Sequence, residues 1–205
     1  MTHIILVRHG TTDWVDRHIL HGITDIPLNE NGLRQARQAA AALKGVQARA
    51  LYTSPLARCL QTAKEIGAKL GLKPIPRDGF KELDFGWLEG KPIRDHSAQD
   101  FGPLVNLIDH FLHNFVRSVS GESRTAFEKR VNAAWDAVLG ENPQGTVIIV
   151  GHSAVFNTIL IRHFGRNFPP GKTYYTLRPG SITEIRMDGD GRASLVRMDE
   201  AGHIS

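Results

Sequence analysis

Cysteine occurs once in these 205 residues, at Cys59. A single thiol excludes an intramolecular disulfide and a cysteine-rich zinc site, and it is the usage expected of a chain in a reducing, cytoplasmic compartment. Long apolar runs are missing too. Only four consecutive apolar residues, Ile4 to Val7, precede Arg8, too few for the core of a signal peptide, and no stretch approaches the roughly 20 apolar residues of a bilayer span. No basic run exceeds two residues, so the formal charge of +4 is not gathered into the aromatic-laced stripe of a nucleic-acid binder. These absences leave a cytoplasmic chain with no membrane or nucleic-acid partner, whose modest positive charge suits a small anionic ligand. The oligomeric state is left open. With 41% hydrophobic composition, 205 residues suffice for a full core and fit one domain.

The apolar residues that are present fall into periodic blocks. Ile4 to Val7 reads as a buried strand ending on Arg8, His9 and Gly10, and Val147 to Val150 as another ending on Gly151, His152 and Ser153. A third strand, Ala48 to Thr53, runs into Ser54-Pro55, a helix start with Ser54 as N-cap and Pro55 in the first helical position. In helix-covered sheets ligands bind beyond the carboxyl ends of the strands, so three strand ends are expected to point at one crevice. Arg58 falls in the first turn of the helix after Ser54, where a cation opposes the helix dipole and needs a ligand or partner.

Around these blocks the pattern predicts helices from Asn29 to Lys44-Gly45, from Ser54 to Gly71, from Gly121-Glu122-Ser123 to near Gly140 and from Ala154 to about Phe164. A short strand is expected near Pro74 to Arg77. The alternating segments Ser181 to Met187 and Ala193 to Met198, joined by Asp188-Gly189-Asp190-Gly191, form a hairpin. Thr11 to Asn29 shows no period and reads as a loop holding Arg17, His21 and Gly22. Phe80 to Gly90 mixes acids with aromatics in a structured loop, where burial raises a carboxyl pKa, but spacing does not separate Glu82, Asp84 and Glu89. Pro92 to about Ser120 resembles a lid or insertion with one amphipathic helix. His110 and His113 lie on it at i,i+3 spacing, and with no third ligand they read as a solvated face. The order of elements argues for an α/β sheet flanked by helices.

Arg8-His9-Gly10, Ser54-Pro55-Leu56-Ala57-Arg58-Cys59-Leu60-Gln61-Thr62-Ala63, Glu82 with Phe85-Gly86 and Glu89-Gly90, and Gly151-His152-Ser153 together resemble the histidine phosphatase superfamily, whose members include phosphoglycerate mutases. The four blocks stand in the family's order from Arg8 to about Ser181. The resemblance implies a phosphoglycerate mutase-like, three-layer α/β/α sandwich with a mostly parallel sheet. It makes His9 the nucleophile that accepts a phosphoryl group, with Arg8, Arg58 and His152 around the oxygens, Ser153 N–H adding to them, and Glu82 as proton donor. It implies neither metal nor cofactor. The expected partner is a small-molecule phosphomonoester, with Arg17, His21 and Gly22 beside it. The chemistry agrees, since neighbouring cations oppose protonation of an attacking imidazole and stabilise charge on the transferring oxygens.

Two loop positions depart from the family pattern. Val15 and Ile19 stand where many members carry Asn and Arg. Between Pro92 and Ser120 the only cations besides histidines are Arg94 and Arg117. A phosphoglycerate mutase needs extra cations for a second phosphate and a carboxylate, so these features favour a phosphomonoesterase with a partly apolar substrate side. A mutase is the alternative, and a catalytically weak phosphoester-binding protein the third reading.

Overall fold

The computed structural model describes residues 1–92, 121–168 and 174–204. The expected lid, with Arg94, Asp109, His110, His113 and Arg117, lies outside the described residues. Strand β1 (Thr2–Arg8) sends its alternate side chains into opposite cores: Ile4 and Leu6 one, Ile5 and Val7 the other. Helix α1 (Asp13–Asp16) is a single turn capped by Thr12, whose side chain accepts from Val15 N. It sits in the loop that showed no period, because one turn is too short to show one. Helix α2 (Glu30–Ala42) starts at the expected cap, Asn29, which accepts from Gly32 N.

Strand β2 (Ala48–Thr53) leads to α3 (Ala57–Leu70), which ends at Gly71 in the left-handed conformation, φ 70°. The start of α3 corrects the sequence reading. Ser54 and Pro55 precede the helix, Leu56 holds the N-cap position without a side-chain bond, and the Asp25 carboxylate takes up Ala57 N at 2.6 Å. A distant acid thus shares the work expected of Ser54, whose Oγ accepts from Leu56 N at 3.4 Å and lies 2.8 Å from His152 Nε2. Strand β3 (Pro74–Pro76) follows, then single 3-10 turns at Asp78–Phe80 and Gly86–Leu88 in the acid-aromatic loop. Helix α4 (Arg124–Glu141) begins at its Ser123 cap, β4 (Gly145–Gly151) leads to α5 (Ser153–Phe164), and β5 (Ile182–Met187) pairs with β6 (Ala193–Glu200) as the expected hairpin.

The sheet order is β3-β2-β4-β1-β5-β6, with three of its five neighbouring pairs parallel. Helices α2 and α3 cover one face, where Ala39, Leu43, Cys59, Ala63 and Ile66 meet Ile5, Val7, Ile148 and Val150. Helices α4 and α5 cover the other, packing Val131, Trp135, Phe156 and Ile159 on Ile4, Leu6 and Ile149. This is the three-layer α/β/α sandwich. The insertion of β4 between β1 and β2 aligns three carboxyl ends: Ser54 N donates to Val150 O at 3.0 Å and His9 N to Gly151 O at 3.0 Å. No described helix is long and apolar enough to cross a membrane.

Candidate active site

His9 leaves β1 almost wholly buried, 4% exposed. Its Nδ1 lies 2.7 Å from the carbonyl of Gly10, which can only accept, so Nδ1 carries the proton and Nε2 keeps its lone pair. Burial, then the guanidinium charges of Arg58 and Arg8, hold its pKa well below the ordinary 6.5. Gly10 is required by contact: a Cβ there would meet the Gly32 carbonyl oxygen at 2.3 Å.

Arg58 is fully buried. Its Nη2 donates to Gly22 O at 2.7 Å, Nη1 to Thr24 O at 3.0 Å and Nε to His152 Nδ1 at 3.3 Å. Of its five N–H groups, two are left over by these bonds. The loop that supplies those carbonyls is tied down by Glu89, which accepts from Ile23 N at 2.9 Å, Thr24 N at 2.8 Å and Phe85 N at 3.1 Å. The partner that the position of Arg58 demanded is therefore a cradle of carbonyl oxygens.

His152 has no exposed surface, and its ring centroid lies 5.1 Å from that of His9, at 65°. Because Nδ1 accepts from Arg58, Nε2 carries the proton and donates to Ser54 Oγ at 2.8 Å. Both ring nitrogens are thus committed to protein. Cys59 Sγ packs 3.4 Å from Nε2. Burial, then Arg58, keeps the imidazole neutral.

Arg8 donates through Nη1 to the Leu177 carbonyl, while its Nε is buried with no partner among the described residues. A buried N–H without an acceptor is rare and costly, and an anion beside it removes that cost. Glu82, 9% exposed, receives Leu83 N at 2.9 Å on Oε1 and Ala154 N at 3.3 Å on Oε2. Burial raises its pKa above 4.5, and those two N–H donors and then Arg58 and Arg8 oppose the shift. Its main chain is gripped by Arg130, which donates to the carbonyls of Gly79 (3.1 Å), Lys81 (2.7 Å) and Glu82 (2.8 Å) while paired with Glu122 at 2.7 Å. Of the three acids left unseparated by spacing, Glu82 alone lines the cleft; Asp84 closes a turn on Gly86 N at 2.7 Å and Glu89 holds the loop.

Of these groups Arg8 and Glu82 line a cleft of about 880 Å³, together with Ser153 and His21; His9, Arg58 and His152 are not among its lining residues. Ser153 is the first residue of α5, a helix start whose Ala154 N–H is already given to Glu82. His21 is half-buried, bonded through Nε2 to Thr12 Oγ1 at 2.7 Å, and pushed down to about 4 by burial and by Arg58. Gly22 lends its carbonyl to Arg58 and packs on Glu89, so it supports the site from behind. Arg17 is not brought to the cleft: it caps α1 at its C-terminal end and is exposed, and His18, with φ 51°, lines the wall instead. Val15 and Ile19 line the wall as apolar groups.

The profile of the histidine phosphatase superfamily (branch 1) matches residues 4–200, nearly the whole of this architecture. The chain belongs to that superfamily. It is 32% identical over 163 residues to an uncharacterized phosphatase, PhoE, of Bacillus subtilis (strain 168), covering 78% of this chain and 76% of the relative. To a probable phosphoglycerate mutase, GpmB, of Yersinia pestis (strain Pestoides F), it is 32% identical over 161 residues, 78% of this chain and 74% of the relative. A solved phosphoserine phosphatase of Entamoeba histolytica, in complex with 3-phosphoglyceric acid, superposes with a TM-score of 0.78 at 27% identity, covering 100% of both chains. For a histidine phosphatase, the residues that sequence reasoning passed over are Arg130, the Ser54 contact of His152 and His18. The first two are pairings over 48 to 98 residues of chain that leave no local pattern.

Proposed function

We propose that this histidine phosphatase hydrolyses a small phosphorylated metabolite in the cytoplasm through a phosphohistidine on His9. The observation that carries the reading is the state of the His9 ring: neutral, with Nε2 unprotonated, beside two guanidinium groups that retain N–H donors. Nε2 attacks phosphorus, the bond from phosphorus to the ester oxygen breaks, and Glu82 gives its proton to the leaving oxygen. Glu82, now a carboxylate, takes a proton from water as the water oxygen attacks the phosphohistidine. The N–P bond breaks, inorganic phosphate departs, and Glu82 is protonated again. The raised pKa of Glu82 suits both halves, because the group must hold a proton in one step and accept one in the next. Arg8 and Arg58 bind the phosphoryl oxygens as charge gathers on them, with Ser153 N–H at the helix start.

Water is favoured as acceptor over a second phosphoester by the apolar wall at Val15 and Ile19, which offers no charge to a second anion near the first. The relatives named as phosphatases agree with hydrolysis, and the one named as a probable mutase supplies the competing reading. The test is to follow both products with a metal chelator present. Release of inorganic phosphate from 4-nitrophenyl phosphate and from phosphoserine is expected, with 3-phosphoglycerate hydrolysed faster than it is isomerised. Isomerisation that outruns phosphate release would establish the mutase.

A further inference from the structure

The cleft is far larger than a phosphate group, and its floor has a direction. Ser153, Ala154, Asn157, Thr158, Ile161 and Arg162 of α5 all line it, a single helical stripe at spacings of one, three and four residues. The cleft therefore runs the length of this helix. Nine residues separate Ser153 from Arg162, which is about 13 Å of helix. Its walls along the way include apolar groups from other elements, among them Ile19, Phe85, Phe127 and Leu177.

At the far end the lining turns cationic. Arg162 and Arg166 stand there, with the half-exposed Tyr174 on the same rim. Arg162 is neutralised by Asp136 at 2.8 Å and also donates to Asn132 at 3.3 Å. A third lining cation, Arg124, is neutralised by Glu128 at 2.7 Å. Arg166 is different. It is exposed, lies beyond the end of α5, and has no acidic partner among the described residues. A cation at the last turn of a helix is explained by the helix dipole, but Arg166 is past the final turn and has a cleft in front of it.

We infer that Arg166 is a specificity-determining residue, forming a second anion subsite at the far end of the cleft, and that the physiological phosphomonoester is an extended molecule with a partly apolar body and an acidic group at the end remote from its phosphate. The inference rests on the reading of the near end as the phosphate site. Three probes separate the two. Phenyl phosphate reports the near end alone. 4′-Carboxybiphenyl-4-yl phosphate adds a remote carboxylate on a rigid apolar body, and its 4′-carboxamide is the neutral match. The carboxylate is expected to show a kcat/KM about three- to fivefold above the carboxamide, the size of one solvent-facing ion pair. The difference resides in KM and fades at high salt. Arg166→Gln brings the ratio to one and leaves phenyl phosphate hydrolysis unchanged, while Arg166→Lys keeps most of the preference. A ratio of one in the wild type, or a preference that survives Arg166→Gln, would overturn the second subsite with the hydrolase reading intact. Failure to hydrolyse phenyl phosphate would instead remove the near-end reading and this inference with it.

Discussion

The ends of β1 and β4 are written in the same style, an apolar strand, a histidine and a small residue, and they lie side by side in the sheet with Arg8 opposite Gly151. Their histidines are nonetheless in different chemical states. His9 uses one nitrogen on the Gly10 carbonyl and has one left, whereas His152 has given one nitrogen to Arg58 and the other to Ser54. The β4 end also supplies Ala154 N to the Glu82 carboxylate. In the proposed mechanism one strand end carries the reactive atom and its neighbour holds the groups that surround it. What separates the two histidines is the number of hydrogen bonds left unmade.

The sharpest break of that comparison is His9→Ala. It should abolish the acid-labile phosphoenzyme and lower kcat/KM by more than about 10⁴-fold, since the nucleophile has no substitute. Rapid quenching with radiolabelled substrate checks it, and a labelled protein in the variant would show that the phosphoryl group resides elsewhere. Next is Glu82→Gln. With an alkyl phosphate, whose leaving oxygen needs a proton, a loss of about 10³-fold is expected, but with 4-nitrophenyl phosphate the first step should fall only a few-fold. Equal losses on both esters would deny Glu82 its role as acid.

His152→Ala should fall between the catalytic and the structural extremes. It loosens Arg58, so we expect a loss of about 10²-fold, as for removal of one oriented donor. The label must still appear on His9, and a Tm close to the wild type separates mispositioning from unfolding. The smallest effect is on pH dependence. Because His9 must be unprotonated and its pKa is held below 6.5, the acid limb of kcat/KM lies below that value, and Arg58→Gln, which removes a charge that opposes protonation, moves it upward. An unmoved limb would mean that the charge of Arg58 does not reach the ring.

Much of this was readable in the chain because it was local. The apolar run from Ile4 to Val7 and the glycine at 71 announce a strand and a helix end through the residues themselves. His9, Arg58 and His152 stand out only as a set, through the resemblance of four blocks, and Glu82 was chosen over Asp84 and Glu89 on the same ground. What stayed hidden involves partners far apart in sequence. Asp25 caps α3 from 32 residues away, and Arg130 reaches carbonyls 48 to 51 residues earlier. Neither a lone acid nor a lone arginine on an amphipathic helix signals such an appointment. Arg17 and His18 show the other limit: the single turn of α1 decides which of two adjacent side chains faces the cleft, and no periodicity reveals a single turn.

Gly10 and Gly32 lie in one close approach of two main chains. A Cβ on Gly10 would meet the Gly32 carbonyl oxygen at 2.3 Å, and a Cβ on Gly32 would meet that of Thr11 at 2.0 Å. The obstructing atoms are main-chain oxygens, which every amino acid possesses, so no replacement at one position can make room for a side chain at the other. In a library that randomises both codons together, survivors should carry glycine at both places. The loop after His9 and the first turn of α2 leave no room for a side chain at either place.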